Sequence, residues 1–187
     1  MAEGYSDIAH STYNEWKVNT LGHEYDLDGS YGCQCWDYAS LFWRNVGFPA
    51  GYPLTGTNHY ASECWSERRV LNAGDQFDLI FNPTDILEGD IIVMDGTSSN
   101  PPGHITFANE DYNGTMSISC MGQNQGGTPL PGGGTAVTIN NLGLGDFLGA
   151  FRYKAWHTTP PTPSTTKSHF KWVLYARKLN QKRNGMI

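Results

Sequence analysis

The stretch Asp26-Leu-Asp-Gly-Ser-Tyr-Gly-Cys-Gln-Cys-Trp-Asp-Tyr-Ala-Ser-Leu-Phe-Trp-Arg-Asn-Val46 decides how the rest of the chain is read. Its first half, dense in carboxylates and small residues, is a loop. From Cys35 onward Trp36, Ala39, Phe42, Trp43 and Val46 recur at helical spacing, which predicts a helix over about 35–46. Gly47, Pro49, Gly51 and Pro53 end that helix in a turn-rich segment. Two cysteines sit at the loop–helix junction. Cys35 opens the helix, where the helix dipole favours a thiolate, whereas Cys33 lies two residues back in the loop, where no dipole acts.

Upstream, Tyr5, Ile8, Tyr13, Trp16 and Val18 predict a helix over 5–21 that ends near Gly22. Downstream, Ala61, Cys64, Trp65 and Arg68 predict a short third helix over 61–71. The character then changes to strands, expected at 90–95, 104–108, 115–120, 136–139 and 147–153. Asn113-Gly114 supplies a hairpin signal between the second and third of these. The glycine-rich segment 126–134 is expected to lie over the sheet edge. Helices followed by an antiparallel sheet give an α+β fold with the N-terminal helices packed on one face. Residues 1–157 form the body, 158–168 read as a Thr/Pro-rich linker, and 169–187 are a basic, aromatic tail of ambiguous structure.

With 187 residues, 39% apolar and 22 glycines, the chain suits one globular domain with a short appendage. The net charge of −6 hides an asymmetry. Six of the twelve basic residues lie at or after Lys167, beyond every acid, so the body carries a formal balance of about −12. An acidic body lacks the phosphate-neutralising charge that nucleic-acid binding needs. No signal-type apolar core and no run of membrane-spanning length occurs, so synthesis in the cytoplasm, with delivery elsewhere by another route, is the expectation.

The loop reads as a cation site when numbered from Asp26. Oxygen donors fall at Asp26, Asp28, Ser30 and Asp37, with the Gly32 carbonyl between them, at spacings by which EF-hand loops wrap calcium. Tyr31 stands where an EF-hand places glycine, and no clear helix precedes the loop. A solvated Asx-turn loop is the plain alternative. Three carboxylates this close repel one another without a cation or solvent between them.

A nucleophilic cysteine needs a histidine within reach. His104, which follows Pro101-Pro-Gly103 and opens a strand, has the context for it. His59 falls where it can line a substrate groove. The hairpin sets His104 opposite residues about 121–124, so Gln123 and Asn124 are the residues able to orient its imidazole. Gln34, beside the thiol, can donate its amide to an oxyanion. Cys64 and Cys120 read as small buried hydrophobes. One bridge from Cys33 to Cys64 or Cys120 is an alternative, as is a zinc site, although C-x-C is not the usual knuckle spacing. Paired acids such as Glu88 and Asp90 would suit a glycosidase but lack a cleft signature.

These motifs together resemble the CHAP domain, the papain-like cysteine, histidine-dependent amidohydrolase/peptidase of bacterial and phage cell-wall hydrolases. The resemblance is carried by Asp26-x-Asp-Gly-x-Tyr-Gly-x-Gln-Cys-x-Asp37, Glu88-Gly-Asp-Ile-Ile-Val93, Gly103-His-Ile105, Gln123-Asn124 and Phe147-Leu-Gly-Ala-Phe-Arg152, over about residues 5–155. It implies a peptidoglycan hydrolase that cuts an amide bond, as endopeptidase or N-acetylmuramoyl-L-alanine amidase. Cys35 would be the nucleophile, His104 the base and Asn124 the polar orienting group. Calcium-binding members imply an ion held by Asp26, Asp28 and Asp37 side chains with the Ser30 and Gly32 carbonyls. Many members carry Glu immediately before Gln-Asn, whereas this chain has Gly122. Lack of a leader suits a lysin released through a holin or carried on a virion. The basic tail could contact wall polymer, a membrane surface or a virion protein. A non-catalytic wall-binding or tail structural module that kept the fold is the competing reading.

Overall fold

A computed structural model describes residues 7–69 and 76–158. The chain divides into two units, Met1–His157 and Thr158–Ile187. The linker and tail expected at 158–187 lie outside the described residues beyond Thr158, as does the end of the third helix.

Helix α1 spans Tyr13–Thr20, a narrower range than expected. Thr12 sets its start by accepting the Glu15 N–H at 3.1 Å, while the Glu15 carboxylate turns back to accept the Ser11 N–H at 2.9 Å. Its buried side chains are Tyr13, Trp16 and Thr20. Helix α2 covers Cys35–Asn45 and begins with Asp37 accepting the backbone N–H of the N-cap Gln34 at 3.0 Å. It ends in a Schellman turn. Gly47, at φ +97°, donates to the Arg44 carbonyl, and Phe48 donates to that of Trp43. Every α2 residue from Asp37 to Trp43 is buried, so α2 is a core helix. The third helix, α3 (Glu63–Ser66), continues as a 3-10 turn over Glu67–Arg69.

Six antiparallel strands form one sheet in the order β1-β6-β2-β3-β4-β5. They are β1 (Phe77–Ile80), β2 (Ile91–Met94), β3 (His104–Ala108), β4 (Ser117–Gly122), β5 (Thr138–Gly143) and β6 (Phe147–Tyr153). A last turn of helix, α4, spans Lys154–His157. Strand β1 was not among the expected strands: four residues at a sheet edge carry no legible alternation, and pairing with β6 is what makes them a strand.

Helices α1 and α2 cover one sheet face through an aromatic core. Trp43 stacks on Phe77 at 5.0 Å between centroids, and Phe107 meets Tyr38 and Phe42 edge-on at 5.1 and 5.4 Å. The opposite face carries a smaller aliphatic cluster that includes Ile92, Ile118, Cys120 and Leu144. Strand β2 is buried on both faces, as its unbroken Ile-Ile-Val-Met run suggests. The Asp90 carboxylate is fully buried against Arg152, with Nε at 2.9 Å and Nη2 at 2.7 Å, and Glu88 lies 3.8 Å from Lys17. Asp90 is thus committed to a buried ion pair rather than held as a free catalytic acid, which argues against a paired-acid glycosidase.

Candidate active site

Helix α2 packs on β3 through Tyr38 and Phe42 against Phe107, and the starts of the two elements come together. This brings together Cys35 and His104, 69 positions apart in the chain. The Cys35 thiol lies close enough to the His104 ring and to the Ile105 and Trp36 amides for all three to act on its ionisation. Burial pushes the thiol pKa up. The His104 charge, the ring hydrogen bond and the two amides outweigh burial and bring it below the ordinary thiol value. His104 shows the reciprocal effect: burial lowers its pKa, and the adjacent sulfur and Gln125 raise it overall. The pair is biased toward thiolate and imidazolium.

Cys64 and Cys120 are fully buried thiols, and burial pushes Cys120 up to about 12 and Cys64 further still. All four cysteines are free, so the bridge from Cys33 does not form. Among the described residues, the only converging set of metal-ligating side chains is Asp26, Asp28 and Asp37, which leaves no cysteine zinc site.

The group on the far side of His104 departs from expectation. The hydrogen bonds of Asn124 and Gln123 go elsewhere than to the imidazole. The residue that does is Gln125, whose Oε1 lies 3.2 Å from His104 Nε2. Asn124, at φ +53°, instead donates its amide to Gln34 Oε1 at 2.6 Å. Gln123 is buried and donates to the Tyr25 carbonyl at 2.9 Å, fastening the core to the loop before α2. Register explains the difference. Phe107 pairs with Met121, and the chain leaves the ladder after Gly122, so the 123–125 side chains are aimed by a turn rather than by strand alternation. Gln34 is held at both ends of its amide, with Oε1 on Asn124 and Nε2 donating to the Tyr31 carbonyl.

The acidic loop folds against these groups. Ligand oxygens of Asp26, Asp28 and Asp37 lie within 4.8 Å of one another. Asp26 accepts the Gly29 N–H at 2.8 Å and Asp28 the Ser30 N–H at 2.7 Å, so the Asx-turn alternative describes part of the loop. Asp37 is 1% exposed and accepts the N–H groups of Leu27 and Gln34. Burial, with Asp28 and Asp26 beside it, pushes its pKa up to about 6 despite those hydrogen bonds. Each carboxylate keeps lone pairs beyond its backbone bonds, so the donor set fits a hard cation. Tyr31 takes φ +62°, the conformation for which glycine would be the usual choice, with its ring 88% exposed. The glycine-rich segment starts against the edge strand β5, as expected, with the Thr138 hydroxyl donating to the Gly126 carbonyl at 3.4 Å. Its end packs on this loop, with Cys33 N–H donating to the Gly133 carbonyl and Cys33 bridged to Gly134.

A cleft of about 840 Å³ opens above Cys35. One wall is the acidic loop with Gly133 and Gly134, and the other is 55–61, where His59 and Tyr60 line it as expected for His59. Sequence reasoning passed over Glu63. Its carboxylate accepts Asn58 Nδ2 at 2.7 Å and the Tyr60 N–H at 3.1 Å, tying down the 56–60 loop. Glutamate opening a helix after a Gly/Asn-rich loop was the available signal.

No family model matches the chain. A curated relative, the D-alanyl-L-alanine endopeptidase of Streptococcus phage B30, is 32% identical over 123 residues, 63% of this chain and 25% of the relative. The chain thus spans about a quarter of that relative's length. Among solved structures, the wild-type endolysin LysIME-EF1 matches with a TM-score of 0.59 at 20% identity, over 76% of this chain and 64% of that one. Ly7917 matches with a TM-score of 0.51 at 17% identity, over 79% and 62%. The α+β fold is therefore the one found in these endolysin structures, and the sequence relationship is to a phage endopeptidase. Among the described residues no helix is long and apolar enough to cross a membrane.

Proposed function

We propose that this chain is a CHAP-type peptidoglycan hydrolase of the phage-lysin kind, in which Cys35 and His104 cleave a peptide bond of the bacterial wall. The observation that carries the reading is Cys35, which lines the cleft at the start of α2 with the His104 imidazole beside its thiol. The thiolate attacks the amide carbonyl carbon, and the electron pair moves to oxygen. Gln34 and a backbone N–H at the start of α2 stabilise that oxyanion. His104 gives its proton to the leaving nitrogen as the C–N bond breaks, leaving a thioester. The neutral imidazole then takes a proton from water, the hydroxide adds to the thioester carbonyl, and collapse expels the thiolate. The phage B30 relative favours an endopeptidase acting at a D-alanyl–L-alanine bond over an amidase.

The test is mass spectrometry of digested cell walls. New alanine amino termini are expected from the parent chain and none from Cys35→Ser. Wall digestion by Cys35→Ser at the parent rate would end the enzyme reading in favour of a binding or structural module. Release of intact stem peptides from muramic acid would turn it into an amidase.

We propose further that Asp26, Asp28 and Asp37, with the Ser30 and Gly32 carbonyls, hold calcium. Such an ion would supply the positive charge that three converging carboxylates lack. The Asp37 carboxylate bridges this loop and the α2 start, two residues after Cys35. Calcium is expected to raise the melting temperature of chelator-treated protein, and Asp28→Asn with Asp26→Asn to abolish that rise. An identical melting temperature with and without calcium would exclude the site.

A further inference from the structure

We infer that Gln125 is the residue that positions the general base, occupying the place from which a side chain at 122 would otherwise do so; this rests on the Cys35–His104 reading above. The orientation of its carboxamide follows from its partners. Nε2 lies 2.8 Å from the Cys120 carbonyl and 3.0 Å from the Thr138 carbonyl, so both amide hydrogens are donated to backbone oxygens. The other amide atom is therefore the oxygen, and it faces His104 Nε2 at 3.2 Å and Thr106 Oγ1 at 2.7 Å. An oxygen there accepts only, which requires His104 Nε2 to carry its proton. In the neutral ring Nδ1 is then the bare nitrogen, and it is the one left to face the Cys35 thiol. Gln125 thus sets both the tautomer and the tilt of the ring. It does so from the turn after β4, anchored on two adjacent strands.

Position 122 explains why this job falls to residue 125. Gly122 lies in β4 without a left-handed φ, so its backbone does not demand glycine. Space does. A Cβ there would come within 2.7 Å of Gln125 Oε1 and 2.9 Å of Thr106 Oγ1. A side chain at 122 and the Gln125 amide compete for one volume behind the imidazole, and in this chain the amide holds it. The orienting group is consequently neutral, and the charge on the imidazolium is balanced mainly by the thiolate itself.

The experiment compares the parent, Gln125→Ala, and the double variant Gly122→Glu/Gln125→Ala on a soluble wall-peptide substrate, together with 15N-edited NMR of the His104 ring. Gln125→Ala is expected to lower kcat about 10- to 100-fold with KM changed less than about twofold, the pattern of a misplaced catalytic group. It should also lose the protected His104 Nε2–H signal. Removing Gln125 leaves the Cys120 and Thr138 carbonyls without their donor, so a structural cost is expected as well. The double variant leaves them just as bare but restores an acceptor behind the ring. Recovery of kcat and of the Nε2–H signal in the double variant therefore assigns the effect to positioning. A Gln125→Ala protein with the parent's signal and kcat would overturn the inference, as would a double variant that melts with Gln125→Ala or above it yet recovers neither kcat nor the signal. The NMR arm needs no substrate: a parent chain that cuts no wall peptide ends the functional reading, and the ring signal alone then decides the role of Gln125.

Discussion

The floor and the walls of the cleft are built in opposite ways. The floor stands on regular elements: Cys35 at the first position of a core helix and His104 at the first position of a central strand, with Tyr38, Phe42 and Phe107 packed beneath them. The walls are loops, 26–34, 55–61 and 132–134, with no apolar core of their own. They are shaped by carboxylates and carbonyls that gather backbone N–H groups: Asp26, Asp28, Asp37, Glu63 and Gly133. A reacting pair needs its geometry held to fractions of an ångström, and close packing supplies that. A surface that recognises a substrate tolerates, and can use, the looser control of hydrogen-bonded loops.

The largest effect that sharpens this contrast is chemical reactivity. Cys35 should react with iodoacetamide at pH 7 at least about ten times faster than Cys64 or Cys120, because the thiolate is the reacting form. The pH dependence has a definite sign. The Cys35 pKa is lowered, so the rising limb of kcat/KM belongs below the ordinary thiol value of about 8.5. The His104 pKa is raised, so the falling limb, where the imidazolium loses its proton, belongs above about 6.5. A Cys35 alkylation midpoint at the ordinary thiol value would show that the floor is not preorganised.

The smaller effect belongs to a wall. Glu63→Ala releases the Asn58 and Tyr60 contacts without touching Cys35 or His104, and is expected to raise KM about three- to tenfold while kcat stays within about twofold. A fall in kcat with KM unchanged would mean that the 56–60 loop takes part in the chemistry rather than in recognition.

What was legible in the sequence follows the same division. Helix α2 and strands β2 and β3 were read within a residue or two, since burial imposes an apolar pattern that one chain segment carries by itself. The Asp26–Asp28–Asp37 grouping was equally local. The strand Phe77–Ile80 was not legible, nor was the true contact of Asn124. The first exists only through its pairing with β6, and the second depends on where the chain leaves the β3–β4 ladder. Tyr31 stands where an EF-hand loop would have glycine, and the structure gives it a glycine-like backbone.

The sequence by itself determined the α+β class, the thiol at a helix start, the histidine at a strand start and the carboxylate loop, because each is written in spacing within a few turns of chain. Only the tertiary structure decided that Gln125 backs the imidazole, that Asn124 holds Gln34, and that Glu63 secures the far wall. Those pairings join residues that meet through strand register and loop packing, and a one-residue shift in either would have put a different side chain in each place.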